Sequence, residues 1–230
     1  MSQRESAEKL GRDRRGLARR LGWYRPGMRD KKRIQDKVSG LGLLHQSELI
    51  LSSDRSKCWI TGAEFTPENI AGLSQPGATL PDLEHCGKRN SFRGWTFSKL
   101  NSAMGSADDD PDRILRLVGY LERPHFNAKW YHHWAAKDRQ HLALYAECRR
   151  IFAMYDRCQN CGYVPPPNAR GPAEKLQLDH HHPTGMVRGV LCNGCNTAEG
   201  GFTKVAEYLG MEVETLIELS VKYLRKELPC

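Results

Sequence analysis

Cys158-Gln-Asn-Cys161, followed by Leu178-Asp-His-His-His-Pro-Thr-Gly-Met-Val-Arg-Gly-Val-Leu-Cys-Asn-Gly-Cys-Asn196, is the part of this chain that decides its fold. Each C-x-x-C knuckle turns two sulfurs toward one point. Cys158, Cys161, Cys192 and Cys195 therefore suit one tetrahedral zinc ion that staples two distant segments together. A redox disulfide or unligated thiols compete as readings of a single C-x-x-C, and the second knuckle weighs against both. A zinc ion saturated by four sulfurs has no open position for water, so any chemistry must come from the residues between the knuckles.

Those residues form a hydrolytic set. Asp179 offers a carboxylate oxygen and Asn196 an amide oxygen, hard ligands of the kind magnesium or manganese prefers. His180 is a base that can be neutral at working pH. One divalent ion to polarise a phosphate and one imidazole to take a proton from water suffice for phosphodiester hydrolysis.

Leu178 to Gly185, Val187 to Cys192 and Cys195-Asn196 resemble the phage recombination endonuclease VII branch of the HNH nucleases, over roughly the last third of the chain. The resemblance implies a ββα-metal finger of two short strands and a helix. It makes Asp179 and Asn196 ligands of a catalytic Mg2+ or Mn2+, His180 the general base, His182 a helper toward phosphate or metal, and the four cysteines structural zinc ligands. His181 fills the variable slot of Asp-His-x-His and takes no role.

The motif also repeats within the chain. Leu83 to Gly105 aligns without a gap on Leu178 to Gly200: Leu83, His85, Arg93, Gly94, Asn101, Ala103 and Gly105 match Leu178, His180, Arg188, Gly189, Asn196, Ala198 and Gly200. Background residue frequencies give about one or two matches over such a span. The chain therefore reads as a tandem duplication whose first copy is eroded. Cys58 stands at the place of Cys158, but Thr61, Phe97 and Leu100 replace Cys161, Cys192 and Cys195, which leaves no zinc site. Burying Phe97 and Leu100 would supply about 1.5–3 kcal/mol each in place of the metal. Glu84 replaces Asp179 and Gly87 replaces His182, so the first copy is expected to be inactive; the alternative is a second centre of Glu84, His85 and Asn101.

Charge points to the partner. From Met1 to Arg33 there are twelve Lys or Arg against four Asp or Glu, a surplus of eight that equals the formal net charge of the whole chain. Such a cluster releases counterions from a nucleic-acid backbone. Arg14, Arg15, Arg19, Arg20, Lys31, Lys32, Arg33 and, within the motif, Arg188 are the expected DNA contacts. No apolar run approaches the roughly 20 residues of a membrane span, and mean hydropathy is −0.63. The expected setting is the cytoplasm of a bacterial or phage-infected cell, where cysteines serve metals more than disulfides. Cys86, Cys148 and Cys230 are expected as free thiols.

The fold class expected is α+β: tandem ββα-metal (HNH) modules in a mostly helical framework, the C-terminal one zinc-stapled. Residues 1–40 read as a basic arm, 41–125 as the degenerate copy and 126–230 as the catalytic domain. Strands are predicted near 175–179 and 186–191, and near 81–84 and 91–96. Asp108-Asp-Asp-Pro111 predicts a helix start, for a helix that closes the first copy. One long helix or two are predicted over 127–156, a Pro-rich loop over 162–175, a helix opened by Asn196, and helices over 203–209 and 213–228.

The function expected is metal-dependent cleavage of double-stranded or branched DNA. A site-specific restriction or homing enzyme and a branched-DNA resolvase stay equally open, and a homodimer is expected where both strands are to be cut by one centre per chain. A non-enzymatic zinc-containing DNA-binding protein is the rival class, and RNA is not excluded as substrate.

Overall fold

Two antiparallel hairpins, each followed at once by a helix, organise the computed structural model, which describes residues 28–74, 80–87, 89–130, 139–171 and 174–226. Residues 1–27 of the basic arm lie outside the described residues. The chain divides into two compact units, Met1–Asn101 and Ser102–Pro229.

In the first unit, α1 (Met28–Gly40) buries Ile34 and Val38 at helical spacing while Lys31, Lys32 and Arg33 stay exposed. A 3-10 turn (Leu44–Gln46) leads to α2 (Ser47–Ser52) and then α3 (Pro67–Leu73). The start of α3 is fixed by Thr66, whose hydroxyl accepts the Asn69 N–H, with Pro67 in the first turn. Strands β1 (Asp82–Cys86) and β2 (Ser91–Thr96) follow, then α4 (Ser98–Ser106), which crosses the boundary between units. Leu83 and Trp95 close the core of the unit with Ile34, Val38, Leu43 and Ile50. Trp95 remains polar-satisfied by donating its indole N–H to Ser53.

In the second unit, Asp110 caps α5 (Pro111–Leu121) by accepting from the Asp112 and Arg113 N–H groups. Helix α6 (Arg139–Ala153), β3 (Leu176–His181), β4 (Met186–Cys192), α7 (Asn193–Leu209) and α8 (Val213–Lys226) complete it. Gly210 ends α7 at φ +64°, a left-handed conformation that a residue with Cβ rarely adopts. The core gathers Tyr120, Cys158, Leu176, Val190, Leu191, Cys192 and Cys195, with a second cluster of Ala128, Cys148, Ile151 and Val187.

The strand positions agree with the sequence to within two residues, and the ladders add a detail. β1 pairs with β2 with a register shift between Glu84 and His85, and β3 pairs with β4 with the same shift between Asp179 and His180. A bulge at that point lets the two neighbouring side chains leave the sheet where regular alternation would separate them.

Four expectations change. The helix expected to close the first copy, α5, belongs to the second unit, because its apolar face of Ile114, Leu117 and Tyr120 is buried there and packs against α8. Helix α7 opens at Asn193 and runs unbroken to Leu209, since Gly200 and Gly201 do not interrupt a helix whose Ala198, Phe202 and Val205 face the core. In place of helix, Phe126 to Trp130 lies extended along β4, with Phe126 and Trp130 donating to Val187 and Gly185 carbonyls at 2.8 and 2.7 Å. Cys86, expected as a free thiol, is disulfide-bonded at the buried end of β1. Among the described residues no helix is long and apolar enough to cross a membrane.

Candidate active site

The four cysteine sulfurs of the knuckles come together, all within 4.8 Å of one another. The first knuckle is shaped by two backbone bonds, Cys158 N–H to Tyr163 O and Gly162 N–H to Cys158 O, with Gly162 at φ +76°. Arg113 donates to the Cys192 and Cys195 sulfurs at 3.3 Å each, and Asn160 donates to Cys195 at 3.2 Å. These donors fit a zinc ion held by four thiolates, because they offset the negative charge of such a cluster and orient its ligands. Burial opposes the charge on Arg113, but its hydrogen bond and attraction to the sulfurs prevail and hold its pKa above the ordinary value.

Gly194, inside the second knuckle, has no room for a side chain: a Cβ would lie 2.4 Å from the Ser106 carbonyl oxygen and 2.7 Å from Arg113 Nη2. The backbone contact cannot yield cheaply. We expect Gly194→Ala to lower stability by about 1–3 kcal/mol, measured by thermal unfolding of the zinc-loaded protein.

Beside the cysteines, Asp179, His180, His182 and Asn196 line one cavity of about 540 Å3. The bulge and the β4–α7 junction bring them there from an 18-residue stretch of chain. Asn196 donates its Nδ2 to Gln177 at 2.9 Å, which leaves its amide oxygen for a cation. His180 stacks face to face on Trp130, ring centroids 4.3 Å apart and planes within 11°, and lies 4.8 Å from the His182 ring. His181 turns away to bond Thr184.

Asp179 is more enclosed than its expected role suggests. It is 3% exposed, and its Oδ2 accepts from the Tyr120 hydroxyl at 2.8 Å and from Arg188 Nε at 2.9 Å. Arg188 also donates to Glu199 at 2.7 Å, and Thr203 donates to the same Glu199 oxygen at 3.0 Å. This corrects the expectation that Arg188 contacts DNA: the guanidinium is 4% exposed and spent on two carboxylates. Burial, reinforced by the Asp179 charge, raises the Glu199 pKa, and Arg188 offsets part of that shift. Burial, then the charge and hydrogen bond of Asp179, keep the Tyr120 hydroxyl protonated well above the usual phenol range. Arg188→Met would leave Asp179 and Glu199 buried without a counter-charge, so we expect a loss of about 3–5 kcal/mol, read from the denaturant midpoint.

Sequence reasoning missed Glu199, Tyr120 and Arg113. Glu199 lies three residues after Asn196 on one helix face, a spacing that could have drawn attention to it. Tyr120 and Arg113 carry no such signal, since they reach the site from a helix over 50 residues away in sequence. Trp130 packs against the second cluster and also lines the cavity, as do the exposed Arg170 and Lys175. Of the expected DNA contacts, Arg14, Arg15, Arg19 and Arg20 lie outside the described residues, and Lys31, Lys32 and Arg33 are exposed on α1 of the first unit.

The first hairpin carries a related arrangement. Arg93 pairs with Glu84, donating Nε to Oε2 at 2.7 Å and Nη2 to Oε1, and Asn101 donates to Asp82 at 2.8 Å as Asn196 does to Gln177. Gly62 N–H bonds Cys58 O at φ +73°, repeating the turn of the zinc knuckle, while Cys58, Phe97 and Leu100 are buried. The residue aligned with Glu199 is the buried Met104, and the carboxylate this hairpin carries besides Glu84, Asp82, pairs with Lys37.

The Gene 59 protein of Mycobacterium phage D29 is 33% identical over 90 residues, which cover 37% of this chain and 47% of that protein. The chain thus spans about half the length of that relative. No solved structure matches. Residues 129–226 match the family described as Recombination endonuclease VII, and the cysteine cluster and the Asp-His-x-His strand lie within the matched residues.

Proposed function

We propose that the chain is a divalent-metal-dependent DNA endonuclease of the HNH type, whose second unit cuts and whose first unit is a degenerate copy that binds or orients the substrate. The observation that carries this reading is the convergence of Asp179, His180, His182, Asn196 and Glu199 on one cavity beside the four-cysteine cluster. Zinc on Cys158, Cys161, Cys192 and Cys195 has a structural role in this scheme. Asp179 and Asn196 would hold Mg2+ or Mn2+, which when bound would supply polarisation of the scissile phosphate and stabilisation of the leaving oxygen. His180 takes the proton of the attacking water, with its ring plane set by Trp130. Arg170 and Lys175 at the cavity and Lys31, Lys32 and Arg33 on α1 meet the phosphate backbone.

The equal bulge positions and the matching Glu84–Arg93 and Asp179–Arg188 pairs support a duplication. The pairing of the carboxylates supports a single active centre. In the first hairpin Glu84 pairs with Arg93 and Asp82 with Lys37, whereas Asp179 and Glu199 share Arg188 and leave a negative surplus for a cation. The family's description as a recombination endonuclease favours branched DNA as the substrate; cleavage at a defined duplex site is the second reading, and it rests on the asymmetry between the two copies.

The test is cleavage of supercoiled plasmid and of a four-way junction with and without Mg2+, for wild type and His85→Ala. We expect magnesium-dependent cutting, preferentially at the junction, that His85→Ala leaves intact. Loss of double-strand cutting in His85→Ala would mean two working centres. Binding without cleavage of either substrate would replace this proposal with a zinc-containing DNA-binding protein.

A further inference from the structure

Helix α5 precedes the family-matched segment 129–226, yet its last turn reaches the candidate centre. Tyr120, 1% exposed, is the residue that does so. The two oxygens of Asp179 are unequal as a result. Oδ2 accepts both the Tyr120 hydroxyl at 2.8 Å and Arg188 Nε at 2.9 Å, whereas Oδ1 has from Arg188 Nη2 a long 3.5 Å contact. In the first hairpin both Glu84 oxygens are taken up by Arg93.

Local packing is arranged around this phenol. Gly189 faces Asp179 across the sheet, and a Cβ there would come within 3.0 Å of the Tyr120 hydroxyl and 3.2 Å of its ring. The ring also lies under the Arg188 guanidinium, 5.7 Å from its centroid. Tyr120 thus touches the carboxylate and the cation that pairs with it. Its side chain does not line the cavity.

We infer that Tyr120 is a positioning residue of the catalytic metal site, which anchors Asp179 Oδ2 together with Arg188 and leaves Oδ1 as the oxygen offered to the divalent ion. This rests on the proposed nuclease reading. The physical reason is that a ligating carboxylate free to rotate must be ordered when the ion binds, and a second hydrogen bond orders it beforehand. The same bond draws charge away from Oδ2, so a divalent cation finds one defined oxygen.

The experiment is Mn2+ binding to the full-length, zinc-loaded protein by titration with detection of free Mn2+ by electron paramagnetic resonance, for wild type and Tyr120→Phe. Phenylalanine keeps the ring against Gly189 and Arg188 and removes the donor alone. We expect Mn2+ affinity to fall by about 10- to 100-fold, as for other partners of metal ligands. In cleavage assays the half-saturating Mn2+ concentration should rise by the same factor, with kcat recovered at saturating metal. Unchanged Mn2+ affinity in Tyr120→Phe, or a fall in kcat with the metal dependence unaltered, overturns the inference and leaves the nuclease reading standing. Failure of wild type both to bind Mn2+ and to cleave DNA overturns the two together. Should Tyr120→Phe not fold, 3-fluorotyrosine at position 120 keeps the packing and alters the strength of the donated bond; altered Mn2+ affinity supports the inference and unaltered affinity refutes it.

Discussion

Stripping zinc from the protein is expected to unfold the second unit while the first keeps its structure. Apparent binding energies of structural zinc sites are about 10–16 kcal/mol at neutral pH, comparable with the whole stability of a domain, about 5–15 kcal/mol. The ligands here tie the segment before the Pro-rich loop to the β4–α7 junction, and Cys158, Cys192 and Cys195 belong to the hydrophobic cluster that holds Tyr120 and Val190. Without the ion, four thiols must be packed where a metal bridged them, and Arg113 loses the negative cluster it faces. In the first unit the corresponding space holds Phe97 and Leu100, both fully buried, with Phe65 edge-on to Phe97 at 5.0 Å. Hydrogen exchange after treatment with a strong chelator resolves the units: protection should vanish along β3, β4 and α7 and persist along β1 and β2. Retained protection in the second unit would refute the staple.

His180→Ala should lower cleavage by about 10²- to 10⁴-fold, the usual contribution of a general base, with DNA affinity little changed. His180 is half-buried in the wall of the cavity and stacked on Trp130, while Asp179 and Glu199 hold the nearby Arg188. Removing the imidazole deletes the proton acceptor without touching the carboxylates, the zinc ligands or the basic residues of α1. His182→Ala serves as the comparison, since its ring is exposed and 4.8 Å from His180. A smaller effect there is expected. Single-turnover cleavage of a junction substrate measures both, and equal residual rates in wild type and His180→Ala would remove His180 from the mechanism.

Much of the second unit was legible in the sequence because its information is local. The knuckles, the Asp-His-x-His strand and Asn196 lie close together in the chain: the cysteine spacing implies a four-sulfur site, and the resemblance carried by these residues implies two strands and a helix. For the same reason Leu83, His85, Arg93 and Asn101 align without a gap on Leu178, His180, Arg188 and Asn196. The helix boundaries were less legible. Helix α7 joins the helix opened near Asn196 to the one expected over 203–209, and Asn127 to Trp130, where helix is expected, forms an extended segment beside β4.

By itself, then, the sequence determined the donor sets: which thiolates gather, which carboxylate, amide and imidazole stand together, and where the basic surplus lies. Only the tertiary structure decided what surrounds them. It assigned α5 to the second unit, turned Tyr120 onto Asp179 and Arg113 onto the sulfurs, took Arg188 out of reach of DNA, and added Glu199 to the site. Those contacts join residues far apart in the chain. Their partners are selected by burial, where an uncompensated charge is too costly to leave alone, and that requirement leaves no periodicity or spacing in the sequence to read.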